Sequence, residues 1–175
     1  MEYFILEQDQ RVADAVLPTN VEIPRRAFKR LEAEEQDDLA IQYYVKDNPQ
    51  IAYIDFIERP VPLVTDAVKQ IMEKYDPKLF LKPVVLADPK RMRQELYWLV
   101  LPKMLDCLSK KSEFNKNGTL KRLVIDEEKV GGTMIFRIHG TLEEQIIINL
   151  YVAESMLRRG FTGFWLKRVE IEEAI

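Results

Sequence analysis

Hydrophobic residues recur with a helical period in two segments of the chain. After Thr65 they follow the i, i+3, i+4, i+7 spacing of one helix face, and Asp76-Pro77 ends the pattern. A second stripe follows Asn149, and Gly160 can take the left-handed conformation that caps a helix. We expect both stripes to face the core; they consist of Val68, Ile71, Met72 and Tyr75, and of Val152, Ala153, Met156 and Leu157.

Short runs rich in β-branched and aromatic residues predict about eight strands. The runs at 40–45 and 51–57 flank Asp47-Asn48-Pro49 and predict a β-hairpin over residues 40–58. In the run at 133–138, strict alternation places Arg137 and His139 on one face of a strand. Eight strands with two or three helices predict an α+β fold with a mixed or antiparallel sheet.

Two helix–strand units, around residues 65–86 and 150–171, align without a gap at an offset of 85 residues. Ile71 and Met72 then coincide with Met156 and Leu157. The units are either an internal duplication or a chance similarity between two amphipathic units, and the sequence leaves both readings open. The predicted core residues are Ile71, Met72, Phe136, Met156, Leu157 and Trp165.

Composition and charge narrow the functional classes. The 175 residues predict one domain over 1–175, and 29 acidic against 26 basic side chains exclude a strongly basic nucleic-acid-binding protein. A single cysteine, Cys107, excludes an intramolecular disulfide and a multi-cysteine zinc site, and we expect a buried, inert thiol.

The N-terminal residues lack signal-peptide features, and the longest uncharged apolar run, 96–101, is too short to span a membrane. We therefore expect a cytoplasmic protein that binds neither membrane nor nucleic acid.

The charge is unevenly distributed along the chain. Residues 1–60 carry 13 acidic and 7 basic side chains, a net charge of −6, whereas residues 61–175 carry a net charge of +3. The segment 24–38 has a helical pattern, yet its arginines lie at the positive end and its carboxylates at the negative end of the helix dipole. Either this is a loosely held, solvated helix, or its acidic residues face a basic partner. The predicted partner-binding residues are Glu32, Glu34, Glu35, Asp37 and Asp38.

Candidate catalytic chemistry is sparse. No GxGxxG, P-loop, HExxH or GxSxG motif occurs, and His139 has no nucleophile or acid at a recognisable spacing. We therefore predict no catalytic, cofactor-binding or metal-binding residue, and no cofactor. The alternative is a small hydrolase or transferase whose site is assembled from scattered carboxylates and His139. A structural or regulatory subunit is a third possibility.

An ordered series of short motifs resembles a family of bacterial toxin-immunity proteins, immunity protein family eleven. The motifs are Tyr3-Phe4-Ile5-Leu6, Tyr97-Trp98-Leu99-Val100, Leu105-Asp106-Cys107-Leu108, Lys111-Ser112-Glu113-Phe114, Leu123-Val124-Ile125-Asp126, Ile135-Phe136-Arg137-Ile138 and Gly160-Phe161-Thr162-Gly163-Phe164. The resemblance covers about the whole domain and brings no catalytic residues with it. It implies a cytoplasmic, non-enzymatic protein that binds and neutralises a toxin domain delivered by neighbouring cells.

Overall fold

A computed structural model describes residues 1–21 and 40–172 of the chain. Within these residues, three helices accompany two larger sheets and two small two-stranded ones. The predicted α+β class is therefore confirmed. Every described helix is too short or too polar to cross a membrane. The predicted acidic helix over 24–38 lies outside the described residues.

The first sheet has six strands in the order β2-β3-β6-β7-β5-β4. A long antiparallel hairpin, β6 with β7, forms its centre, because both strands are nine residues long and pair along their whole length. β3 lies parallel to β6, so the sheet is mixed. The strands are β2 (Pro18–Thr19), β3 (Ile41–Val45), β4 (Phe56–Ile57), β5 (Leu63–Thr65), β6 (Phe80–Asp88) and β7 (Arg93–Leu101).

The second sheet has five strands in the order β14-β1-β13-β12-β8. Its neighbouring strands are antiparallel except β8 and β12. Both β12 and β13 are buried along their whole length, which explains why β13 is almost pure isoleucine. The strands are β1 (Tyr3–Gln8), β8 (Met104–Leu105), β12 (Ile135–Ile138), β13 (Ile146–Asn149) and β14 (Phe164–Arg168).

The small sheets pair β9 (Glu113–Phe114) with β10 (Leu120–Arg122), and β11 (Val124–Asp126) with β15 (Glu170–Glu172). The helices are α1 (Asp66–Tyr75), the single turn α2 (Glu127–Val130) and α3 (Leu150–Leu157).

Helices α1 and α3 are the two helices that the sequence predicts, and they pack against each other. Met72 and Met156 are fully buried in one apolar cluster, to which residues of both larger sheets contribute. The Asn149 side chain caps α3 by accepting a hydrogen bond from the Val152 N–H at 3.1 Å. The amphipathic stripes therefore join the two sheets through a common core.

The two helix–strand units have the same topology. β5 and β6, joined by α1, flank β7 antiparallel on either side; β13 and β14, joined by α3, flank β1 in the same way. The residues that lie side by side across each set of three strands also correspond. They are Thr65, Tyr97 and Val84 in the first unit, and Asn149, Tyr3 and Val169 in the second. The helix caps Thr65 and Asn149 are 84 residues apart, however, whereas Val84 and Val169 are 85 apart, so the gapless offset of 85 fails across the helices. The internal duplication stays a prediction.

The predicted hairpin over residues 40–58 is wrong. β3 pairs with β2 and β6, and β4 pairs with β5, so the two runs do not pair with each other. Most of the second run is irregular, and its Ala52 forms an isolated bridge with Ala15. The long strand β6 offers β3 four consecutive partners on a buried sheet, an option that local sequence does not reveal.

The predicted core is correct for four residues and wrong for two. Ile71, Met72, Phe136 and Met156 are buried, whereas Leu157 is 60% exposed and Trp165 is 52% exposed. Leu157 is the last residue of α3 and lies beyond its packed face. On β14, Phe164 and Leu166 pack against the core, so the period-two alternation turns Trp165 toward solvent.

Candidate functional site

A cleft of about 1230 Å³ opens between the two larger sheets. The end of α1 and the adjoining ends of β6 and β7 form one wall, and β8, β12 and the turns on either side of β12 form the other. Its charged lining residues are Asp76, Lys78, Lys103, Arg137 and Glu144, and His139 lies among them. Apolar side chains, including Phe80, Met104 and Leu142, complete the lining, so the cleft can hold a ligand or peptide of mixed polarity.

Arg137 forms the buried polar part of the cleft. It lies on β12, and its side chain is only 6% exposed. Its Nε donates a hydrogen bond to the Pro102 carbonyl oxygen at 2.7 Å, and a terminal guanidinium nitrogen lies 3.9 Å from a Glu144 carboxylate oxygen. A buried cation needs such partners to offset its lost hydration. Arg137 is thereby held as a fixed positive charge.

His139 follows β12 and is exposed at the cleft. Its backbone N–H donates to the Leu105 carbonyl oxygen at 2.9 Å, which fixes the main chain. The carboxylates of Asp76 and Glu144 line the same cleft, but neither lies within 4.0 Å of a His139 ring nitrogen. The cleft thus gathers a histidine and two carboxylates without joining them as the hydrogen-bonded base and orienting acid of a catalytic site.

Two lysines give the cleft rim a positive character. Lys78 and Lys103 are both exposed, and neither forms an ion pair with any residue in 1–21 or 40–172. Asp76 is engaged locally, because its Oδ1 accepts the Lys78 backbone N–H at 3.1 Å and so holds the turn after α1. The rim is suited to carboxylates or other anionic groups of a partner.

The single cysteine of the chain lies in the core. Cys107 is fully buried, and burial raises the pKa of its thiol to about 11, so the nucleophilic thiolate is disfavoured. The expectation of a buried thiol is confirmed. Across the described part of the chain, no group of three or more His, Cys, Asp or Glu side chains could hold a metal ion.

The residues predicted to bind a partner are not among those that the structure describes. Glu32, Glu34, Glu35, Asp37 and Asp38 fall within 22–39, so their role stays a prediction.

Strand alternation correctly places Arg137 and His139 on one face, and both line the cleft, but the sequence did not predict the cleft itself. Sequence analysis missed Asp76, Lys78 and Lys103, which reach the cleft only through the packing of α1, β6 and β7 against the second sheet.

The similarity of the sequence to known proteins identifies its family. No curated protein matches the sequence. The sequence model of the Immunity protein family (Imm11) matches residues 10–170 of the 175. This span contains the first helix–strand unit, all but the last residue of the second, and every polar residue of the cleft, together with six of the seven motifs that resemble the family. The chain therefore belongs to the Imm11 immunity protein family.

Proposed function

We propose that this protein binds a toxin domain and neutralises it stoichiometrically in the cytoplasm, without a cofactor and without turnover. The observation that carries the proposal is the family match over residues 10–170. An inhibitor that occludes a toxin needs a complementary surface and no reacting groups. The separation of His139 from the cleft carboxylates agrees with such a role.

The direct test uses the product of the gene that neighbours this one, which the proposal takes to be the toxin. Co-expression should rescue cells from that toxin, and the purified proteins should elute together from a size-exclusion column at a fixed stoichiometry. Rescue should require at least one immunity protein per toxin molecule. Rescue at strongly substoichiometric amounts, or the lack of any complex, would contradict neutralisation by occlusion.

The acidic segment supplies a proposal for how the two proteins meet. A cluster of negatively charged carboxylates accelerates association with a basic surface through long-range attraction, which salt screens beyond about 8–10 Å. Replacing Glu34, Glu35, Asp37 and Asp38 by Gln or Asn should lower the association rate constant more than it raises the dissociation rate constant. The measurement is stopped-flow association at two ionic strengths, and Glu128→Gln removes an exposed charge elsewhere as the control. Equal salt dependence in the fourfold variant and the wild type would remove the segment from the interface.

A second candidate function is hydrolysis or group transfer in the cleft. One observation favours it: His139, Asp76 and Glu144 line the same cavity. Catalytic hydrogen bonds are often long before substrate binds. Under the binding proposal, His139→Gln should leave both protection against the toxin and thermal unfolding unchanged. Loss of protection with unchanged unfolding would support the enzymatic candidate instead.

A further inference from the structure

Strand β14 is the open edge of the five-stranded sheet. It pairs with β1 on one side, and two hydrogen bonds fix which of its backbone groups face β1: Asp9 N–H to Gly163 O and Val169 N–H to Tyr3 O, each 2.9 Å. Because backbone groups alternate in direction along an antiparallel strand, Trp165 and Lys167 also bond toward β1. The N–H and C=O groups of Phe164, Leu166 and Arg168 therefore point to the free edge.

These edge groups have no backbone or side-chain hydrogen-bond partner in the described part of the chain. The strand is nevertheless held in place, because Phe164 and Leu166 pack against the shared core. On the opposite face Trp165 is 52% exposed, with the Arg11 guanidinium 5.0 Å from its ring centre. A preformed strand with three unpaired N–H and C=O groups and an exposed tryptophan is a template for strand addition.

The charge around this edge indicates the kind of strand that it accepts. Residues 157–168 contain four basic side chains and no acidic one, while the nearest carboxylates on the strands are Glu7, opposite Trp165, and Glu170, two residues after Arg168. Arg158 and Arg168 pair with Glu154 and Glu2, while Lys167 is exposed and has no ion-pair partner within 1–21 or 40–172. A second copy of this edge would bring like charges together, whereas an acidic strand would bring carboxylates to Lys167.

We propose that β14 is a docking edge for an extended, locally acidic strand of the protein partner. The strand joins the sheet through main-chain hydrogen bonds to Phe164, Leu166 and Arg168, with carboxylates near Lys167 and an apolar side chain over Trp165. Identifying that partner as the toxin rests on the proposed function.

A matched pair of substitutions separates the backbone from the side chain. Arg168→Pro removes the N–H that faces the free edge, and proline is tolerated on an edge strand where its nitrogen faces outward. Arg168→Ala removes the guanidinium and its ion pair with Glu2 but keeps the N–H. In assays with the toxin domain that the preceding co-expression test identifies, we expect Arg168→Pro to bind at least about tenfold more weakly than Arg168→Ala.

A second variant keeps the test decisive if Arg168→Pro fails to fold. Lys167→Glu leaves the core untouched and should weaken binding at least about tenfold. The control Lys116→Glu, which changes an exposed lysine in the β9–β10 turn, should not weaken binding.

Residue-resolved amide exchange provides the signature of strand addition. The amides of Phe164, Leu166 and Arg168 should exchange rapidly in the free protein and become protected in the complex, whereas those of Trp165 and Lys167 should be protected in both states.

The outcomes distinguish the two proposals. If the wild type binds no toxin, the proposed function fails, and the docking of a toxin strand fails with it. If the wild type binds but Arg168→Pro and Arg168→Ala bind equally, or the alternating protection is absent, the toxin is bound elsewhere and the docking edge is wrong. Protection of the same amides in a dimer formed without toxin would identify a second copy as the occupant and overturn the proposal.

Discussion

Replacing Met156 by alanine perturbs the core that joins the two larger sheets. Met156 lies on α3, is fully buried, and belongs to the same apolar cluster as Met72 of α1 and Leu6 of β1. Leu157, the next residue along the chain, is 60% exposed. The two positions form a matched pair in which similar apolar side chains on one helix differ mainly in burial.

The structure sets the expected magnitudes. Met156→Ala removes three heavy atoms from the core, a transfer loss of about 2 kcal/mol. A residual cavity raises the cost, so the free energy of unfolding should fall by about 2–5 kcal/mol. Leu157→Ala removes atoms that are already mostly in water and should cost less than about 1 kcal/mol.

Urea unfolding followed by far-ultraviolet circular dichroism measures both effects. A fall in the transition midpoint at unchanged slope isolates a loss of stability from a change in the exposed surface. Equal losses for the two variants, or a loss below about 1 kcal/mol for Met156→Ala, would refute the assignment of this helix face to the core.

Three further predictions concern local features. Gly163 has φ +79°, and an added Cβ would lie 2.3 Å from the Ile54 Cβ, so Gly163→Ala should lower the free energy of unfolding by more than Gly160→Ala does. Gly160, at φ +66°, lies in open space, and its replacement by alanine should cost about 1–2 kcal/mol. Urea midpoints that fall equally in the two variants would contradict the close approach. Asn149→Ala removes the α3 cap and should lower the free energy of unfolding by about 1–2 kcal/mol; an unchanged urea midpoint would show that the cap contributes nothing. Burial raises the pKa of the Cys107 thiol to about 11 from an ordinary 9.0, so the thiol should resist iodoacetamide at pH 8 until urea unfolds the protein. Its contribution to the free energy of unfolding should be present below pH 9 and lost as the pH rises toward 11. Rapid labelling of the native protein would contradict the burial of the thiol.

Most predictions that depended on local spacing were confirmed. The stripe at Val68, Ile71 and Met72 is buried because residues three and four positions apart share a helix face wherever that helix packs. Arg137 and His139 both reach the cleft, as strand alternation placed them on one face. Leu157 and Trp165 were misplaced because their burial depends on where a helix ends and on which face of an edge strand meets the core.

The choice of partners could not be predicted from local pattern. Residues 40–45 and 51–57 resemble the arms of a hairpin, yet β3 pairs with β6, some 40 residues farther along the chain. Asp76, Lys78 and Lys103 are unremarkable in sequence and acquire a common role only when α1 and the first sheet meet the second sheet. Such contacts depend on which distant surfaces bury the most apolar area together, a property of the whole chain.

The sequence by itself determined the two packed helices, the α+β class and the ordered motifs of the immunity family, because periodicity and motif order are carried by neighbouring residues. Tertiary structure alone decided the strand pairing, the cleft between the sheets and the free edge of β14. Whether the backbone groups of Phe164, Leu166 and Arg168 are paired depends on where β14 lies in its sheet, and strand order follows from long-range packing rather than from the residues of the strand itself.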